Sequence, residues 1–179
     1  MGWDEVTAAW VQAVGSILAI AVAIYLSRMD ANTRRKDAEE DRNRRAAAFA
    51  AQMMVFVVHV INRLEVIDRL NADGSYGLST AMFDPRDTMT MFSVSPPIDR
   101  AFMRDLGALP IPIIQEAVAL IAVVDDYNPF IQSSMPLARS IDGAQRGDYI
   151  DDMRRRVEAM RKGAAYLKPH LEGLMDRAG

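Results

Sequence analysis

WVQAVGSILAIAVAIYLSR, Trp10 to Arg28, sits within an uncharged run of 21 residues from Val6 to Leu26. As a helix rising about 1.5 Å per residue that run reaches about 31 Å, which matches the hydrocarbon thickness of a bilayer. The sequence therefore predicts one membrane-spanning helix in residues 1–27. A secretory signal peptide puts its positive charge first, whereas here Asp4 and Glu5 precede the apolar run and Arg28, Arg34, Arg35 and Lys36 follow it. The positive-inside rule then leaves the short N-terminus outside and everything after Arg28 in the cytoplasm. Trp3, Trp10 and Tyr25 fall where aromatic belts lie.

Leucine throughout would serve a simple anchor, but this helix carries small and polar residues. Gly15, Ala19 and Ala23 recur every fourth residue, and Ala9 and Ala13 extend the idea upstream. Such small-xxx-small stripes let helix backbones approach closely in lipid. Gln12 and Ser16 are one turn apart on a neighbouring line. Self-association turns them toward the bundle interior, where polar side chains in membranes are generally found. The expectation is a homo-oligomer in which Gly15, Ala9 and Ala13 pack helices and Gln12, Ser16, Ala19 and Ala23 line a narrow path. The competing reading is that small residues are ordinary in any membrane helix and that Gln12 sits near the headgroups.

The chain has 179 residues, with 21 Lys and Arg against 24 Asp and Glu, a formal charge of -3. That size suits one domain with an appendage, and the charge supplies no global basic field to draw in nucleic acid or anionic lipid. Any polyanion site has to be local. No cysteine is present, which excludes disulfides and thiolate chemistry and fits a reducing compartment.

Beyond the apolar run, RMDANTRRKDAEEDRNRR, Arg28 to Arg45, holds seven basic and five acidic residues and neither Pro nor Gly. It reads as a solvated helical stalk over residues 28–45, followed by a cytoplasmic helical domain over residues 46–179. In Ala46 to Leu70, the residues Phe49, Met53, Phe56, Val57, Val60, Leu64 and Ile67 recur at helical spacing and form a core face. Its opening, AAAFAAQMMVFVVHVI, is apolar but only 16 residues long and is interrupted by Gln52 and His59, so it reads as core and not as a second span. His59 lacks a partner at i+4 and is expected to be structural. After the turn signal NADGSYG, Leu78 to Pro97 reads as an irregular connection, with a short helix expected over Ile98 to Leu106. Pro110 and Pro112 start a buried helix running to about Asn128. The last helix, from about Asp148, carries a heptad seam at Ile150, Met153, Val157, Met160, Ala164, Leu167, Leu171 and Leu174. Pro169 is expected to kink or break it near Lys168, so the seam suits bundle packing better than a free coiled coil.

No phosphate-binding glycine loop, no H-E-x-x-H and no G-x-S-x-G occurs, so no enzyme activity, cofactor or metal site is expected. Asp125 with Asp126, and Asp151 with Asp152, diverge by about 100° as helix neighbours and read as groups that cap or solvate helix ends. The one ligand candidate is Arg154, Arg155, Arg156, Arg161 and Lys162, five cations within nine residues. Acid-first i,i+4 pairs (Asp151 with Arg155, Asp152 with Arg156, Glu158 with Lys162) account for three of them, leaving Arg154 and Arg161 unpaired by pattern. Repeated around an oligomer axis, such a patch could hold a phosphate chain.

Trp10 followed by QAVGSILAIAVAI, together with DLGALPIPIIQEAVALI from Asp105 to Ile121 and its LG-x-LP helix start, resembles small bacterial single-pass membrane proteins with cytoplasmic helical domains. Some of these are membrane effectors of phage-defence operons, paired with a nucleotidyltransferase whose product controls them, as in Hailong-type systems. The resemblance implies an inner-membrane effector answering a nucleotide or oligonucleotide. The residues themselves predict an all-α, self-associating, anchored domain. A tethered adaptor that binds another protein without conducting ions is the alternative.

Overall fold

In a computed structural model of the protein, residues 3–78, 85–94, 106–107, 109–140 and 143–177 are described, with backbone alone at 3–9, 11, 13–15, 17 and 85. The fold is all-α. Its elements are α1 (Trp3–Leu70), α2 (Pro85–Phe92), α3 (Ile111–Ser140) and α4 (Ala144–Asp176), and there is no strand among the described residues. The chain divides into two compact units, Met1–Arg42 and Asn43–Gly179.

In the first unit, residues 18–42 are all exposed. The run 28–45 lies within α1.

The second unit is a helical bundle around one core. Every third or fourth residue of α1 from Ala46 onward turns inward, giving Phe49, Met53, Val57, Val60, Leu64 and Ile67 as buried side chains. The second apolar run is therefore a core helix with a single covered face, as its length and its polar interruptions predict. α3 contributes Ile113, Ala117, Leu120, Val124, Tyr127, Ile131 and Met135. α4 contributes Met153, Val157, Met160, Ala164, Leu167 and Leu171, with Ile150 and Leu174 packed at the edges. The heptad seam of the last helix is thus consumed inside one chain. Gly163, which weakens a helix by its backbone freedom, stands where a Cβ would come within 3.3 Å of Leu120 Cδ1. It is a close-approach point between α3 and α4.

Three expectations about helix limits are corrected. The stretch read as irregular contains α2, and its helical turns are held by distant residues. Arg63 donates from Nε to Ser93 O at 3.0 Å and from Nη2 to Thr90 O, Met91 O and Ser93 O at 3.0, 2.9 and 2.8 Å, supplying donors to the carbonyls that a helix C-terminus leaves open. Arg139 Nη2 donates to Thr88 Oγ1 at 3.0 Å and to Gly77 O at 2.9 Å, and Thr88 is 1% exposed. Asn128 accepts from Val94 N at 2.9 Å and donates to Val94 O at 2.6 Å.

The second correction is that α3 continues past Asn128 to Ser140, through Pro129 and Pro136. The third is that α4 begins at Ala144 and runs through Pro169 to Asp176. An interior proline costs a helix about 3 kcal/mol, but buried residues lie on both sides of each proline: Tyr127 and Ile131 around Pro129, Met135 and Ala138 around Pro136, Leu167 and Leu171 around Pro169. Fully burying a large aliphatic side chain contributes about 1.5–3 kcal/mol, so packing outweighs the lost hydrogen bond. The helix expected over Ile98 to Leu106 falls mainly outside the described residues.

The turn NADGSYG forms as its composition predicts. Asn71 Oδ1 accepts from Tyr76 N at 2.6 Å, and Asp73 Oδ1 accepts from Ser75 N at 3.0 Å. Gly77, at φ 84°, is required because a Cβ would come within 2.9 Å of both Phe92 and Thr88.

Two phenols sit deep in the core. The hydroxyls of Tyr127 and Tyr149 are buried without a hydrogen-bond partner, and burial pushes both pKa values well above the ordinary value near 10. Because the folded values are raised, the stability tied to the neutral phenols is complete below about pH 10 and is lost as pH rises from there toward the folded values, since the unfolded chain releases its protons first. Tyr127→Phe is expected to be close to neutral in stability at pH 7 and to reduce the loss above about pH 10. Denaturant unfolding at both pH values checks it; an unchanged alkaline loss would show that Tyr127 is not responsible. Asn128→Ala leaves the Val94 amide and carbonyl without their partner and is expected to cost about 1–3 kcal/mol in the same unfolding experiment.

Candidate functional site

α1 is the one helix among the described residues that is long and apolar enough to cross a membrane. The exposure of its first part is the more informative observation. Leu18 is 60% exposed, Leu26 56%, and Ile20, Val22, Ile24 and Tyr25 are each more than half exposed. Successive residues on a helix point about 100° apart, so these side chains together with exposed Ala19, Ala21 and Ala23 surround the helix with apolar groups. A helix apolar all round belongs inside a core or a membrane. Among the described side chains of unit Met1–Arg42 none is buried.

Of the residues expected to line a path, Gln12, Ser16, Ala19 and Ala23 are all exposed. Ser16 Oγ donates to Gln12 O at 2.9 Å, a bond to the preceding turn that ties up its proton and leaves its oxygen lone pairs outward. Gln12 and Ser16 thus share one polar spot, one turn long. Gly15, Ala9 and Ala13 lie on α1, but their packing role falls outside the described residues.

The cationic cluster on α4 is internally paired. Arg154 bonds Asp151 at 2.8 Å and Arg155 bonds Asp152, both at i,i+3. Arg156 bonds Asp126 of α3 and lies 4.3 Å from the centroid of the Phe130 ring, which stacks on Tyr149. Arg161 Nη2 reaches both carboxylate oxygens of Asp68 on α1 at 2.8 Å, and its Nη1 reaches Glu158 at 3.0 Å. Lys162 stands 3.8 Å from Glu158. The expectation that Arg154 and Arg161 are unpaired is therefore corrected. Arg154 takes Asp151 at i,i+3, and Arg161 has a partner from another helix that no spacing within α4 could reveal. Its hydrogen bond to Asp68 pushes the Arg161 guanidinium above its ordinary pKa.

Asp125 and Asp126 lie within α3, and Asp151 and Asp152 within α4, not at helix ends. Asp126 is a cross-helix partner instead of a cap. A polyanion binding to this cluster has to exchange carboxylates for phosphates, which favours a ligand with several negative charges in a row. Shallow grooves between α3 and α4 border the cluster, lined by Ala122, Val123 and Ala159 near Arg155 and by Ala119 and Tyr166 near Lys162. Among the described residues no group of three or more His, Asp or Glu side chains is placed to hold a metal.

Fold and surface together define an all-α protein with one helix suited to crossing a bilayer. The chain matches no known protein family, no curated protein and no solved structure.

The Arg161–Asp68 pair is about half exposed, so its worth is that of a surface ion pair, below about 1 kcal/mol. Arg161→Ala is nevertheless expected to lower the unfolding midpoint of the full-length protein more than Arg154→Ala, because Arg161 bonds Asp68 on α1 whereas Arg154 bonds Asp151 of its own helix. Equal effects of the two substitutions would refute that role.

Proposed function

We propose that the protein is a homo-oligomeric effector of the bacterial inner membrane, with its N-terminus outside and its helical domain in the cytoplasm. The N-terminal helices associate through Gly15, Ala9 and Ala13 and form or gate an ion path bordered by Gln12, Ser16, Ala19 and Ala23. The helical domain answers a nucleotide or oligonucleotide at Arg154, Arg155, Arg156, Arg161 and Lys162, made by a nucleotidyltransferase of the same phage-defence operon. The reading rests on one observation above all: apolar side chains, Ala19, Ala21 and Ala23 among them, encircle α1 from Leu18 to Leu26 and stay exposed, while among the described side chains of the apolar run Gln12 and Ser16 form an outward polar spot. Lipid satisfies the first feature. Water, and an ion passing through it, satisfies the second.

A second reading, a membrane-tethered adaptor without pore activity, is favoured by the pairing of all five cations within the chain, which leaves the domain complete without a ligand. The two readings differ in what Gln12 and Ser16 do. Gln12→Leu combined with Ser16→Leu is expected to leave the protein inserted and assembled but to abolish membrane depolarisation and growth arrest on overexpression, with Ile24→Leu unaffected. If the wild type causes no change in membrane potential, with or without added oligonucleotide, the effector reading fails and the adaptor reading stands. A reporter fused after Gly179 is expected to be active only in the cytoplasm.

A further inference from the structure

We propose that a second copy of this chain covers the outer face of α1, the two helices running parallel and in register across Ala48, Ala51, Val55, Val58 and Asn62. The inference rests on the homo-oligomeric reading above and gives it an interface in the helical domain. Those five residues are exposed, Val55 at 65% and Val58 at 39%. Their spacing alternates three, four, three and four, which is a heptad seam.

α1 has already given its opposite face to the core through Phe49, Met53, Val57, Val60 and Leu64. It therefore carries two apolar faces over the same turns, and folding of one chain uses only one of them. The other heptad seam in the protein, on α4, is buried within the chain, with Met153, Met160 and Leu167 wholly covered. If copies meet through a helical seam, α1 is what remains to supply it.

Three features select a second copy as the occupant. The five seam positions carry no charge, so identical faces meet without like-charge repulsion, while Arg44, Arg45 and Glu65 bound the seam at its two ends. Half-buried Met54 and Ile61 widen it on one side. Asn62 falls seven residues after Val55 and fourteen after Ala48, at the equivalent seam position. In a parallel, in-register pair an asparagine there faces its own copy and the two amides bond to each other, which fixes register at some expense of stability. Against an antiparallel or shifted partner the same amide faces an aliphatic side chain. Copies anchored by residues 1–27 in one membrane also enter the cytoplasm in the same direction, as a parallel seam requires.

The chain contains no cysteine, so an introduced one is unique. Val58→Cys and Val55→Cys in the full-length protein in native membranes are expected to give mostly disulfide-linked dimer on mild oxidation, and Ala122→Cys on the exposed side of α3 almost none. Val55→Asp with Val58→Asp, both outside the core, is expected to retain helical content and protease resistance but to lose the dimer in detergent. Asn62→Val is expected to raise the melting temperature of the assembly and to broaden its stoichiometry. If the wild type is oligomeric by amine cross-linking, but Val58→Cys links no better than Ala122→Cys or the double aspartate variant keeps its size, this interface is wrong and the oligomeric reading survives. A wild type that is monomeric in membranes removes both.

Discussion

The inward face of α1, from Phe49 to Ile67, is the constraint on which the rest of the second unit depends. It meets α3 and α4 in one continuous core, and through that core the short α2 and the turn before it find their places. The face is continuous because the apolar residues keep helical spacing over about five turns. Removing water from it is the dominant favourable contribution to folding such a bundle. Three polar side chains at the edge of that core seat the described part of the connection between α1 and α3.

That seating is done by three side chains from three places in the chain. Arg63 of α1, Asn128 of α3 and Arg139 near the end of α3 each bond backbone or hydroxyl groups of residues 77–94. A helix as short as α2 is marginal by itself, because nucleation costs more than a few hydrogen bonds return. Carbonyls accepting from a guanidinium, and a buried Phe92, supply what local propensity does not. The segment therefore belongs to the bundle, and its local signals, Pro85 at the first position and Asp87 in the first turn, are completed by contacts from elsewhere in the chain.

The outer surface separates into two kinds of feature. The cations of α4 spend themselves on neighbouring carboxylates, and Arg156 and Arg161 do so across helices, so the cluster contributes cohesion even in the absence of a ligand. The apolar surface around Leu18–Leu26 and along Ala48–Val58 has no such internal use. Lipid or another chain are the two surroundings that would cover such exposed apolar side chains. The proposed function and the proposed α1 pairing both proceed from that asymmetry.

The sequence by itself determined the helical class, the core faces of α1 and α4 and the apolar run that suits a membrane, because each is written in local periodicity that a single helix must obey. It also contained the turn at NADGSYG, where Asn, Asp and Gly act on their immediate neighbours. Tertiary structure alone decided that Pro129, Pro136 and Pro169 are carried inside helices, since the compensating burial of Ile131, Met135 and Leu171 comes from other elements. It alone decided that α2 exists, that Gly163 is a contact point for Leu120, and that Arg161 reaches Asp68, 93 residues away. It alone revealed which elements cover the core face of α1, because a pattern of spacing names the apolar positions but not the neighbour that removes them from water.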